Sequence, residues 1–482
     1  MANHTQHNRW TGCMVGGLTT IMMLTSSCTF DSDLSGLVSA DAGGIGTDTA
    51  AISSDGGGSD PRDTTTTTED TALGGSDSSP SDTSATDTAT DTTATSDTSV
   101  TADTTVAMDT ATDLPTDSDM LQDTSDTGAM ADTTPEDTAP ADDTRPPLEP
   151  QPWWGEPITT EADTWVWVDF PNTKCADGSP TGLGINVHPG ADKALIYYEG
   201  GGACWDYGSC TGVSSAIHLD GFTEETFNGL LTDVYLQSLV FDRNDDRNPL
   251  REAHMVFVPY CTADVFFGDR VAQLQGFFPW EETTIHFNGY PNVQRYLERL
   301  VPTFQDVERV VLSGSSAGGF GAALTWSLVQ ERFASIPVDV LDDSGPPINP
   351  GGDRWNEWLE AWNGRLPADC ETCDESVIDM RNHIFDALLA DGTRRFGLMS
   401  YNRDSVISAF FGVFPFVFDE RLMEMCHALE AYPNAQCYVL DGRLHTLLVA
   451  GVEGIEADDG TPVWRWLEQA VEGDPSWTSH TP

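Results

Sequence analysis

The sequence predicts an α/β fold, a mostly parallel sheet with helices on both faces. Two observations predict it. Short apolar, β-branched or aromatic runs recur along residues 151–482, and the later ones alternate with segments of helical spacing. One run, residues 310–312, passes through Gly314-Ser315-Ser316-Ala317-Gly318 directly into a small-residue helical stretch. Parallel strands need crossover connections, and helical crossovers cover both faces of the sheet they build.

The elements follow in order. Residues 164–170, 183–187, 194–198, 255–259, 310–312, 338–341, 396–400 and 437–440 each place β-forming side chains ahead of turn residues and read as strands. Residues 292–300, 320–333, 376–389 and 420–432 carry helical spacing. From Pro152-Trp153-Trp154 onward, roughly 330 residues suffice for one large domain with a sizeable core, residues 151–482.

Ahead of that domain the chain changes character. Arg9 is followed by uncharged residues 11–27 and then Leu24-Thr25-Ser26-Ser27-Cys28, the pattern of a bacterial lipoprotein signal. Residues 1–27 would be removed and Cys28 would carry the lipid; cleavage near Cys28 without lipid is the alternative. Either predicts export, to the cell surface or periplasm or beyond. The uncharged run is too short and too rich in small polar residues to span a membrane. Residues 28–150 form a low-complexity Asp/Thr/Ser/Ala tract that cannot bury enough apolar surface to offset the entropy of ordering. A disordered acidic tether is expected, about 60 Å across as an ideal coil.

The formal net charge is −55, and residues 1–150 hold 27 acidic side chains against three arginines. Both parts of the chain are acidic, which excludes nucleic acid and anionic membrane surfaces as partners, because phosphates require Lys and Arg. Membrane attachment is expected only through Cys28. Of the ten cysteines, eight fall in the domain: Cys175, Cys204, Cys210, Cys261, Cys370, Cys373, Cys426 and Cys437. An even number in an exported domain points to disulfides. Cys204 with Cys210 would close a small loop and Cys175 with Cys261 a long one. The other four pair likewise or form a four-Cys zinc site, which an oxidising compartment disfavours.

Ligands of a parallel sheet bind beyond the carboxyl ends of its strands, so a reactive side chain just after a strand carries weight. A bare G-x-S-x-G is a weak signal in a chain rich in Gly and Ser, but between strand and helix it makes a nucleophile elbow with Ser316 as the nucleophile. A serine hydroxyl needs a base to take its proton and a carboxylate to orient that base. Asp404 follows the strand at 396–400 and His445 follows the last strand, in the chain order Ser, acid, His. Asp342, Asp343 and Asp441 are rivals for the acid, and strand order favours Asp404. An oxyanion needs two fixed N–H donors. Ala317 supplies one, and Glu199-Gly200-Gly201-Gly202-Ala203-Cys204-Trp205, after another strand, is placed to supply the other.

Glu199-Gly200-Gly201-Gly202 with Cys204-Trp205, Cys175-Ala176-Asp177-Gly178-Ser179-Pro180, Val258-Pro259-Tyr260-Cys261-Thr262-Ala263-Asp264 and Gly314-Ser315-Ser316-Ala317-Gly318 occur in that family's order, and over most of residues 170–450 the chain resembles the pectinacetylesterase/Notum family of α/β-hydrolases. The resemblance implies a carboxylesterase with Ser316 as nucleophile, Asp404 as acid and His445 as base. It also implies an oxyanion hole from Gly201, Gly202 and Ala317, and a structural turn at Asp342-Asp343-Ser344-Gly345. The chain departs from the family at Ala203, where members often carry an aromatic.

The expected function is an exported serine esterase that removes an acyl group, most simply acetyl, from a carbohydrate, with no metal or organic cofactor. The acidic surface opposes a polyanion such as pectin unless arginine clusters or cations intervene. Acetylated neutral glycans and the lipid acyl groups removed by the family's animal branch are therefore carried alongside it. A surface-displayed glycan-binding protein is the alternative, with Trp153, Trp154, Trp205 and Phe277-Phe278-Pro279-Trp280 stacking on sugar rings, although such aromatics are more often core.

Overall fold

The computed structural model describes residues 148–212, 216–449 and 454–482. Residues 1–147, with the expected signal, Cys28 and nearly all of the expected tether, lie outside the described residues. The strands are β1 (Val166–Phe170), β2 (Thr181–Asn186), β3 (Lys193–Tyr198), β4 (His254–Val258), β5 (Arg270–Gln275), β6 (Glu282–Phe287), β7 (Arg309–Ser315), β8 (Val338–Asp343), β9 (Phe396–Tyr401) and β10 (Ala435–Leu440). The helices are α1 (Tyr207–Thr211), α2 (Glu224–Asp233), α3 (Gly289–Thr303), α4 (Ala317–Phe333), α5 (Arg354–Trp362), α6 (Val377–Leu389), α7 (Ser405–Phe411), α8 (Pro415–Leu429) and α9 (Val463–Glu472).

Each of the expected strands belongs to one eight-stranded sheet, ordered β1-β2-β4-β3-β7-β8-β9-β10. Only β2 runs against its neighbours; every other pairing in the sheet is parallel. Successive side chains on a strand point to opposite faces, and the core divides accordingly. On β3, Ala194, Ile196 and Tyr198 join a cluster with α3, α4, α6 and α8, whereas Leu195 and Tyr197 join one with α2 and α9. Both faces are thus covered.

The β5–β6 hairpin was not expected from the sequence. Its Arg-Val-Ala-Gln-Leu-Gln strand is half exposed and lacks the apolar run of a buried strand. Phe277 and Trp280 at its turn are 92% and 77% exposed, while Trp153, Trp154 and Trp205 pack against the core. Helices α1, α2, α5, α7 and α9 also went unread; none exceeds 10 residues, too short for a strong period.

Four disulfides join Cys175 to Cys261, Cys204 to Cys210, Cys370 to Cys373 and Cys426 to Cys437. The last two pairs use the cysteines that a zinc site would have needed, and no cluster of metal-binding side chains occurs among the described residues. No helix among them is long and apolar enough to cross a membrane.

The loop after β4 turns on a buried carboxylate. Asp264 accepts from Thr262 Oγ1 at 2.6 Å, Phe266 N at 3.2 Å and Gly289 N at 2.8 Å, tying the loop to the start of α3. Burial pushes this carboxyl up to about 7, against the pull of those donors. Its folded value exceeds its unfolded one, so the fold binds a proton more tightly and this group's contribution falls as pH rises from about 4 to about 7, by at most about 1.4 kcal/mol per unit. Asn at this position does not titrate. The melting-temperature advantage of wild type over Asp264→Asn should therefore shrink between pH 5 and pH 7.5, and a constant difference across that range would contradict the burial argument.

Candidate active site

Strand β7 ends at Ser315 and α4 starts at Ala317, so Ser316 alone makes the turn. Its backbone sits at φ 59° and ψ −120°, a conformation that costs a non-glycine residue roughly 1–3 kcal/mol and persists only where the surroundings over-determine it. Small neighbours permit the turn: a methyl group on Gly318 would lie 2.0 Å from the Tyr198 carbonyl oxygen at the end of β3. Ser316 is 9% exposed and its side chain makes no capping bond to α4, which leaves the hydroxyl available for chemistry.

The acid and base stand on the loops after β9 and β10, two adjacent parallel strands. Backbone bonds lace these loops together: Asn402 N to Leu440 O at 2.9 Å, Arg403 N to Gly442 O at 3.0 Å and Ser405 N to Arg443 O at 3.3 Å. Asn402 Oδ1 adds a bond from Gly442 N at 3.0 Å. Asp404 is fully buried as the N-cap of α7, its Oδ1 accepting from Val406 N at 2.9 Å and Ile407 N at 3.0 Å. That fixes the carboxylate and aims Oδ2 at His445, whose Nδ1 lies 2.6 Å away. A carboxylate only accepts, so Nδ1 carries the proton and Nε2 is left as a base. The His445 side chain is 19% exposed, enough for access and too little for free rotation.

The glycine loop leaves β3 and lies against the elbow. A methyl on Gly200 would sit 2.5 Å from Ser315 O and 3.1 Å from Ser316 Cβ, and Gly202 takes φ 73°, so glycine is required for both approach and conformation. The loop is pinned by Tyr260 N donating to Glu199 Oε2 at 2.9 Å, Cys204 N to Ala263 O at 3.0 Å and Ile217 N to Gly201 O at 2.9 Å. Burial pushes the Glu199 carboxyl up, while nearby His218, its Nε2 3.6 Å from Oε1, and the Tyr260 amide pull it down. No backbone bond beyond regular helix or strand pairing uses the amides of Gly201, Gly202 or Ala317 among the described residues. Ala317 is the first residue of α4, where the amide has no intrahelical partner. Ala203, the position at which the chain departs from the family it resembles, is fully buried.

The rivals for the acid are engaged elsewhere. Asp342 Oδ1 accepts from Gly345 N at 2.8 Å, its Oδ2 is buried without a partner, and burial pushes its carboxyl far above the usual range. Asp441 is held by Arg403 and by Asn402 Nδ2. Asp343 binds backbone amides beyond His445 rather than the ring. The sequence singled out Asp343 only as a rival acid or a turn residue, and no local signal marks those remote amides as its partners. What the arrangement supplies is a hydroxyl on a strained turn with the glycine loop against it, and an imidazole oriented by a buried carboxylate.

A family model described as pectinacetylesterase matches residues 166–357, a span that holds the glycine loop and the elbow and ends before Asp404 and His445. Palmitoleoyl-protein carboxylesterase notum2 of Xenopus laevis is 26% identical over 219 residues, covering 41% of this chain and 42% of that protein. Palmitoleoyl-protein carboxylesterase NOTUM of Drosophila melanogaster is 29% identical over 216 residues, covering 41% and 31%. The chain thus spans less than half the length of these curated relatives. Among solved structures, that of the Wnt deacylase Notum from Drosophila aligns with 64% of this chain and 93% of its own at 18% identity, with a TM-score of 0.46. By the family model over residues 166–357 and by the curated relatives, the chain is similar to the pectinacetylesterase/Notum family of carboxylesterases.

Proposed function

We propose that the protein is an exported serine carboxylesterase that cleaves an acyl group, acetyl first among them, from a carbohydrate ester. The observation that carries this reading is the Asp404–His445 hydrogen bond at 2.6 Å, on the strand-end loops of the same sheet that bears the strained Ser316. Ser316 Oγ attacks the ester carbonyl as His445 Nε2 takes its proton, and Asp404 holds the imidazole in the required tautomer and stabilises the imidazolium. The Gly201, Gly202 and Ala317 amides receive the oxyanion. His445 then returns the proton to the departing alkoxide, and water activated by the same imidazole clears the acyl-enzyme. Export, lipidation of Cys28 and the acidic tether belong to this reading as the means of holding the enzyme outside the cell.

A short acyl group is the first reading, and the apolar cavity beyond the first turn of α4, lined by Phe320, Trp358, Phe410 and Phe411, is small. Phe320 stands one helical turn after Ser316, its amide bonded to Ser316 O at 3.1 Å. A long acyl chain is the second reading, favoured by the relatives named palmitoleoyl-protein carboxylesterases. Rates on aryl acetate, butyrate, octanoate and decanoate, with acetate release from neutral and pectic polysaccharides, decide between them. Preference for acetate with release from a glycan supports the first reading. A rate rising with chain length rejects it in favour of the second, and no turnover of any ester rejects both.

A further inference from the structure

Between the elbow and the His445 loop stands one buried residue that touches both. Asp343 ends β8, and its main-chain carbonyl accepts from Ser316 N at 2.7 Å. Its carboxylate accepts from Leu447 N at 2.8 Å on Oδ1, and from Ser315 Oγ at 2.6 Å and Leu448 N at 3.0 Å on Oδ2. Ser315 Oγ in turn accepts from Tyr197 OH at 2.8 Å. The neighbouring Ser344 accepts on Oγ from Thr446 N at 3.2 Å. The residues flanking nucleophile and base therefore converge on a two-residue segment.

The backbone there is strained in three places: Ser316 at φ 59°, Ser344 at 61° and Thr446 at 63°. For a β-branched residue such as Thr446 a positive φ is an outlier, and strain of this kind survives only under surrounding constraint. A carboxyl group whose two oxygens accept from two amides and two hydroxyls supplies that constraint, Ser344 Oγ adding a bond to Oδ1 at 3.2 Å. An amide of the same shape cannot replace it. One of its two heads is a donor and would face an N–H.

We propose that Asp343 is a positioning residue, its side chain tying Ser315, next to the nucleophile, to Leu447 and Leu448, just beyond the base, and so setting the distance between Ser316 and His445. The proposal rests on the reading of those two residues given above. Loss of the anchor shifts the base relative to the hydroxyl without touching the substrate, and a displacement of about 1 Å lowers rate by about 100-fold.

The test uses the full chain with Asp343→Asn, Ser315→Ala and Ser316→Ala, measuring kcat and KM on an aryl acetate, the rate of fluorophosphonate labelling, and thermal unfolding. Asp343→Asn should lower kcat and the labelling rate together by about 100-fold, with KM within about 2-fold of wild type. Ser315→Ala removes one of the four donors to the Asp343 side chain and should lower kcat about 5-fold, the equivalent of one ordinary hydrogen bond. A folded Asp343→Asn with wild-type kcat and labelling rate overturns the proposal, because a merely structural role would lower only the melting temperature. If Asp343→Asn does not melt cooperatively, Ser315→Ala decides: reduced kcat supports the proposal and wild-type kcat overturns it. An active Ser316→Ala overturns the nucleophile assignment and this proposal with it, whereas an inactive Ser316→Ala beside a fully active Asp343→Asn overturns the positioning role alone.

Discussion

Replacing Ser316 with alanine should lower ester hydrolysis by at least about 10⁴-fold and abolish fluorophosphonate labelling, while leaving the melting temperature almost unchanged. The reasoning separates the hydroxyl from the backbone that carries it. The Ser316 side chain makes no capping bond to α4, so alanine removes the attacking atom and little else. Its Cβ still lies against Gly200, and its backbone stays at φ 59° under the hold of Asp343 O and the α4 turn. The residue that is left binds ester and offers amides to the carbonyl oxygen, which by itself retains a modest advantage over water. Single-turnover labelling and steady-state hydrolysis check this directly. Retention of more than about a tenth of the wild-type rate would remove Ser316 from the chemistry.

Asp404→Asn should be the sharpest dissection of activity from stability in this molecule. Asp404 has two tasks, one on each oxygen: Oδ1 caps α7 through Val406 N and Ile407 N, and Oδ2 accepts from His445 Nδ1. Asparagine caps helices about as well as aspartate, so its oxygen keeps the first task and the melting temperature should fall only slightly. Its NH₂ then faces Nδ1 and can only donate. The imidazole must accept there and carry its proton on Nε2, the tautomer that cannot take a proton from Ser316. The expected outcome is a fall in kcat of about 10⁴-fold with a nearly native melt. A fall of less than about 10-fold would mean that another group orients the base.

Much of the architecture was legible because burial on both faces of a parallel sheet demands continuous apolar strands, as at Val310-Val311-Leu312 and Phe396-Gly397-Leu398-Met399. The β5–β6 hairpin was not, since a half-exposed strand with polar alternation does not stand out from a loop. At the site, Ser316, Asp404 and His445 could be singled out because each follows a strand, and a strand end in such a sheet is a privileged place. Cysteine pairing was only partly legible. Cys370, Cys373, Cys426 and Cys437 suit two disulfides or one metal, and the choice follows from Cα separations of 5.6 and 5.9 Å within the pairs.

The sequence by itself determined the fold class, the strands of the main sheet and the strand-to-helix turn that carries a serine, because each is written in neighbouring residues as periodicity, glycine placement or a run of apolar side chains. Only the tertiary structure decided that Asp404 reaches His445, how Cys370, Cys373, Cys426 and Cys437 pair, and that Asp343 gathers the amides of Leu447 and Leu448 with the hydroxyl of Ser315. Those contacts lie between segments far apart in the chain. Their geometry comes from how whole strands and helices pack, and no local pattern of side chains encodes where a distant amide will stand.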